Sequence, residues 1–148
     1  MPRRLRTGLL LLALVAPIAT ALTAEAGLRV DHAWLRNAGP GGRIAVIYLQ
    51  LHNTSRKPIV VTAVEVPIAT SAQIHRSSVV GGMTRMRPEP RVVVPAGRSV
   101  QFAPGGLHIM LMGLSRPLRD GERIPLRLLT ESNGTIHAVA LVRPLSAQ

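Results

Sequence analysis

The sequence contains no cysteine. That absence excludes disulfide staples, zinc ribbons, iron–sulfur clusters, cysteine-anchored haem and the thiolate-ligated blue-copper centre. Aromatic residues are almost missing too, with Trp34, Tyr48 and Phe102 standing alone among 148 residues. So few rings cannot build the stacking platforms that hold single-stranded nucleic acid, and the net charge of +11 is therefore not read as a nucleic-acid signal. Lysine is reduced to Lys57 beside 17 arginines, and there are only 7 acidic residues. The six acids after residue 26 are scattered in turns and form no nucleophile–base–acid set, so no enzyme is expected. Amphipathic segments of period 3.6 are absent after residue 26.

What is present begins with a basic stretch, Met1-Pro2-Arg3-Arg4-Leu5-Arg6, an apolar run from Gly8 to Ala16, a break at Pro17 and small residues to Ala26. This is the pattern of a secretory signal peptide cleaved after Ala26, since the apolar run is shorter than the roughly 20 residues of a spanning helix. Residues 1–26 are thus expected to be a removed leader and residues 27–148 a single exported domain. No cysteine follows, so no lipid anchor is expected. Taking Arg3, Arg4, Arg6 and Glu25 from 18 basic and 7 acidic residues leaves 15 and 6, a net +9. Such a basic surface fits an acidic docking partner or a membrane surface, or simply a solvated face set by coding preference.

With 47% apolar residues the chain has enough material for one core. Short extended segments are predicted over 28–35, 45–51, 59–66, 71–80, 83–87, 92–94, 99–102, 124–130 and 135–142, with a further one through Leu107 to Gly113. Trp34 is expected to pack on the core. Gly and Pro punctuate between the segments, a turn-rich loop covers 37–42, and Asn133-Gly134 is the strongest hairpin-turn signal. Regular short strands without helices argue an all-β antiparallel sandwich or small barrel.

In a strand, His108, Met110 and Met112 fall on one face while Ile109 and Leu111 turn to the other. Apart from Met1, every methionine lies in two clusters, Met83/Met86 and Met110/Met112. One imidazole with two thioethers is a soft-metal surface, and a Met-rich core patch is the alternative. Met83 and Met86 face opposite ways in a regular strand.

Ten residues separate His75 from Met86, twenty-one separate Met86 from His108, and one separates His108 from Met110. This His-X10-Met-X21-His-X-Met pattern resembles the PCu(A)C family of periplasmic copper chaperones. The similarity extends to His32-Ala33-Trp34-Leu35-Arg36, Met86-Arg87-Pro88, Val94-Pro95-Ala96-Gly97 and Gly105 to Leu114. It implies a cupredoxin-like Greek-key β-sandwich, a monomer, that binds one Cu(I) through His75, Met86, His108 and Met110. It also implies delivery to the binuclear copper centre in the copper-bearing subunit of cytochrome c oxidase, often beside a thiol-bearing copper chaperone. Buffering or storage of periplasmic copper, without delivery, needs the same site. The sequence departs from the pattern in having Arg76-Ser77 after the first histidine, and Arg76 and Arg85 are expected to place positive charge beside the metal. His32, His52 and His137 have no methionine neighbours and are read as surface or strand-end histidines, and Met112 as packing behind Met110.

Overall fold

Most segments that alternate in sequence become strands with one face toward the core, as over Ile44–Asn53, whereas Met83–Pro88 is exposed along its whole length. The computed structural model describes residues 27–36, 41–132 and 134–144. The expected leader, residues 37–40 of the first loop and Asn133 of the hairpin turn lie outside the described residues. In chain order the strands are β1 (Leu28–Arg36), β2 (Ile44–Asn53), β3 (Ile59–Glu65), β4 (Ala69–Val80), β5 (Met83–Pro88), β6 (Val92–Val94), β7 (Ser99–Phe102), β8 (Leu107–Leu114), β9 (Arg123–Thr130) and β10 (Thr135–Arg143). No helix occurs among the described residues, as the all-β reading requires.

Hydrogen bonding links the strands in the order β5-β4-β8-β7-β2-β1-β10-β9-β3-β6, with β2 also paired to β8. Because β3 packs against β4, the ladder curls over one core, the cupredoxin-like sandwich or barrel that was expected. Within this otherwise antiparallel ladder two pairs, β1–β10 and β7–β8, are parallel. Strands β1 and β10 are far apart in sequence and no hairpin dictates their direction. Strands β7 and β8 both run antiparallel to successive halves of β2, so they must run parallel to each other.

The interior is aliphatic. Leu35, Ile47, Leu49, Leu51, Ile109, Leu111, Leu126, Leu128 and Phe102 are fully buried, each contributing about 1.5–3 kcal/mol relative to exposure. Beneath this core Asn53 is buried, donating to the carbonyls of Lys57 and Val94 at 2.8 and 2.9 Å and accepting from the Ser55 amide at 2.9 Å. Trp34 does not join the core. The register of β1 on β2 slips between Asp31 and Trp34, where His32 has a φ of 51°. A bulge of this kind shifts the alternation by one residue, so Leu35 points inward while Trp34 lies outside against Tyr48.

Candidate metal centre

The site is built on the outer face of β4, β5 and β8. Strand register pairs His75 directly with His108, Gln73 with Met110 and Ser71 with Met112. On the other side of β4, His75 pairs with Pro88 and Ser77 with Met86. Directly paired residues share a face, so His75, Met86, His108 and Met110 all lie on one surface, with Met86 diagonal to His75 and Met110 diagonal to it on the far side. Met83 pairs with Val80 and therefore faces the opposite way from Met86. Met112 shares the ligand face but sits two rows from His108, between Ser71 and Ile44.

The two imidazoles are 5.9 Å apart between ring centroids and meet edge to face. One nitrogen of each is engaged. The Nδ1–H of His108 donates to the carbonyl of Gly106 at 3.1 Å, and that carbonyl also accepts from the Ser77 amide at 3.0 Å. The Nε2–H of His75 donates to Oε1 of Gln73 at 3.2 Å. These bonds set the tautomers and leave His75 Nδ1 and His108 Nε2 as free lone pairs. Both atoms are shut away from solvent with no hydrogen-bond partner. A buried polar atom left unpaired costs about 1–3 kcal/mol, so two in one place need a physical reason. A cation between them supplies one. His108 itself is 4% exposed, which makes it the anchored member, whereas Met86 on the edge strand is 48% exposed.

Burial, and after it the charge on His108, hold the His75 imidazole below its ordinary pKa. The expected influence of Arg76 and Arg85 is corrected by the register. Arg76 pairs with Arg87 and Arg85 with Ser78, on the face of the hairpin turned away from His75, and Arg76 is tied to Glu89 at 2.8 Å. Among the described residues no group of three or more His, Cys, Asp or Glu converges, so no zinc-type or carboxylate site competes with this one. His32 and His137 are exposed, and His52 Nδ1 is 2.8 Å from the Ser99 hydroxyl, all away from the ligand row. Gln73 escapes a sequence reading based on metal donors, although its position two residues before His75 places it on the same face; Gly106 stands in the same relation to His108.

The family described as lipoprotein LpqE-like matches residues 28–142. A protein of Leifsonia xyli subsp. xyli (strain CTCB07), named as lipoprotein Lxx21020, is 31% identical over 121 residues, spanning 81% of this chain and 72% of its own length. Among solved structures, the apo PCuAC domain from PmoF1 superposes with a TM-score of 0.69 at 28% identity, covering 80% of this chain and 94% of that one. The Cu(I) form of DR1885 from Deinococcus radiodurans superposes with a TM-score of 0.61 at 32% identity, covering 86% of each chain.

Proposed function

The chain belongs to the LpqE-like family, and from that premise we propose that it is an exported Cu(I) chaperone. It binds one copper ion through His75 Nδ1, His108 Nε2 and the thioethers of Met86 and Met110, and hands it to the binuclear centre of cytochrome c oxidase. The observation that carries the reading is the pair of solvent-shielded, unpartnered imidazole nitrogens on a face that also presents two methionines. Thioethers are soft and neutral, so the set favours Cu(I) over Zn²⁺ and harder cations. With no thiolate among the donors, nothing in the site oxidises to a disulfide in an oxidising compartment. The naming of the relatives as lipoproteins and the leader pattern of residues 1–26 support an envelope location. The Cu(I) form of DR1885 supports the choice of metal.

The donors divide the work. His108, buried and locked through Gly106, holds the ion in place. His75 is oriented by Gln73, and such outer bonds to a ligand imidazole typically govern 10–100-fold in affinity. Met86, on an exposed edge strand, is the donor that an incoming acceptor ligand displaces first.

Titration of the purified protein with a competing Cu(I) chelator tests the site. One equivalent is expected to bind, with His108→Ala and Met110→Ala each weakening it by at least about tenfold, or about 1.4 kcal/mol. Met112→Ala is expected to leave the affinity almost unchanged. Should Met112→Ala prove the worst of the three, the ligands of β8 are wrongly assigned.

A further inference from the structure

The chain has three aromatic residues and two of them, Trp34 and Tyr48, stand together on the outside. Their centroids are 4.8 Å apart, and the guanidinium of Arg143 lies 4.8 Å above the Trp34 ring. Strand register pairs Trp34 with Leu141 and Arg36 with Arg143, and pairs Leu141 in turn with Arg123. Three arginines thus surround an aromatic pair and Leu141, which is 41% exposed. Like charges directly across a ladder repel, so Arg36 beside Arg143 is unfavourable for the isolated chain.

Five of the six carboxylates among the described residues are engaged elsewhere. Asp31, Glu65, Glu89, Glu122 and Glu131 pair with Arg29, Arg127, Arg76, Arg116 and Arg91 respectively. Among the described residues Arg36, Arg123 and Arg143 enter no ion pair, and Arg36 Nε is shut from solvent without a hydrogen-bond partner. A guanidinium is satisfied by a planar bidentate acceptor, and Trp, Tyr and Arg are the residue types that dominate protein interface energetics.

We infer that the Trp34–Tyr48–Arg36–Arg143 patch is a docking site for an acidic polypeptide, whose carboxylates seat at Arg36 and Arg143 while apolar side chains cover Trp34 and Leu141. The patch adjoins the metal face. Val46 pairs with Arg36 on one side and with Met110 on the other, and Tyr48 follows the Ile47–Ile109 pair toward His108. A partner seated there lies beside the copper ligands. Docking stands on the patch alone; its use in handing over metal rests on the chaperone reading above.

Trp34, the one tryptophan, is the built-in reporter. The probe is an acetylated peptide alternating Glu and Leu over eight residues, with a Gln-for-Glu control peptide and phosphatidylglycerol vesicles as comparisons. The acidic peptide is expected to change Trp34 fluorescence saturably, and R36Q/R143Q to weaken its binding by about tenfold or more. R91Q, which removes a charge far from the patch, is expected to weaken it little. Cu(I) affinity and stoichiometry of R36Q/R143Q are expected to match the unaltered protein, so a failure of the metal reading shows separately. Equal weakening by R91Q, no response to the acidic peptide, or a preference for vesicles overturns the inference. A lower melting temperature of apo R36Q also overturns it, because Arg36 then serves the fold, whereas relieving its repulsion with Arg143 while leaving Arg143 on Trp34 should keep stability equal or higher.

Discussion

At the scale of single residues the site turns on which imidazole nitrogen carries a proton. Metal displaces protons only from ligands that can hold them, which an imidazole can and a thioether cannot. The His75 pKa is lowered by burial and by the His108 charge, so its share of the competition enters only below its ordinary value of about 6.5. The sign follows: log K for Cu(I) is expected to fall with acid as protons displace imidazole ligands, with a limiting slope of about 2 per pH unit if both histidines bind the ion. A chelator competition corrected for the chelator's own protonation reads this. A limiting slope of one leaves only one histidine as ligand, and a slope persisting above pH 8 brings in an amine such as Lys57. Gln73→Leu removes the acceptor that orients His75 and is expected to cost about tenfold in affinity with the limiting slope kept. Of the proposed ligands, His108 and Met110 were legible as candidates from donor type and period-two spacing, which are local properties of the chain, and His75 and Met86 through the resemblance to the PCu(A)C pattern. Gln73 and Gly106 were not, because a glutamine or a carbonyl acquires its role only from the imidazole it meets.

Strands bring in the next level, and β8 shows what fixes the ligand row. Gly113 ends its methionine face with a φ of +67°, and a Cβ there would stand 2.5 Å from Thr70 Oγ1 and 2.9 Å from Thr70 Cβ. Thr70 at the same time donates to the Gly113 carbonyl at 3.1 Å, tying β4 to β8. Gly113→Ala combines a left-handed backbone with this crowding and is expected to destabilise by about 2 kcal/mol or more, read as a lower melting temperature. Adding Thr70→Ala should make the total loss less than the sum of the single losses, since the two changes share one contact. Strand positions were legible from alternation, as β2 illustrates, with Ile47, Leu49 and Leu51 buried and Val46, Tyr48 and Gln50 on the other face. Two things were not. The bulge at His32 reverses inside and outside for Trp34, and a single residue with positive φ leaves no mark in a hydrophobic pattern. The parallel neighbours β1 and β10 meet across nearly the whole chain, and alternation carries no direction.

For the whole molecule, the open issue between delivery and buffering is one of release, because both functions use the same donors. Buffering is served by slow loss and needs no partner. Delivery needs an accessible donor and an approach that brings the acceptor to it. Met86 at the sheet edge supplies the first, and the basic surface supplies the second by steering an acidic acceptor, an effect that weakens as ionic strength rises. Loaded protein mixed with an apo fragment of the copper-bearing oxidase subunit is therefore expected to transfer its ion, faster at low than at high salt. Met86→Ala should speed that transfer relative to its effect on binding, since one displacement step is already done. In cells lacking the gene, oxidase activity is expected to fall in copper-poor medium and to recover when copper is added. Normal oxidase activity in that medium, accompanied by loss of copper tolerance, assigns the protein to buffering instead.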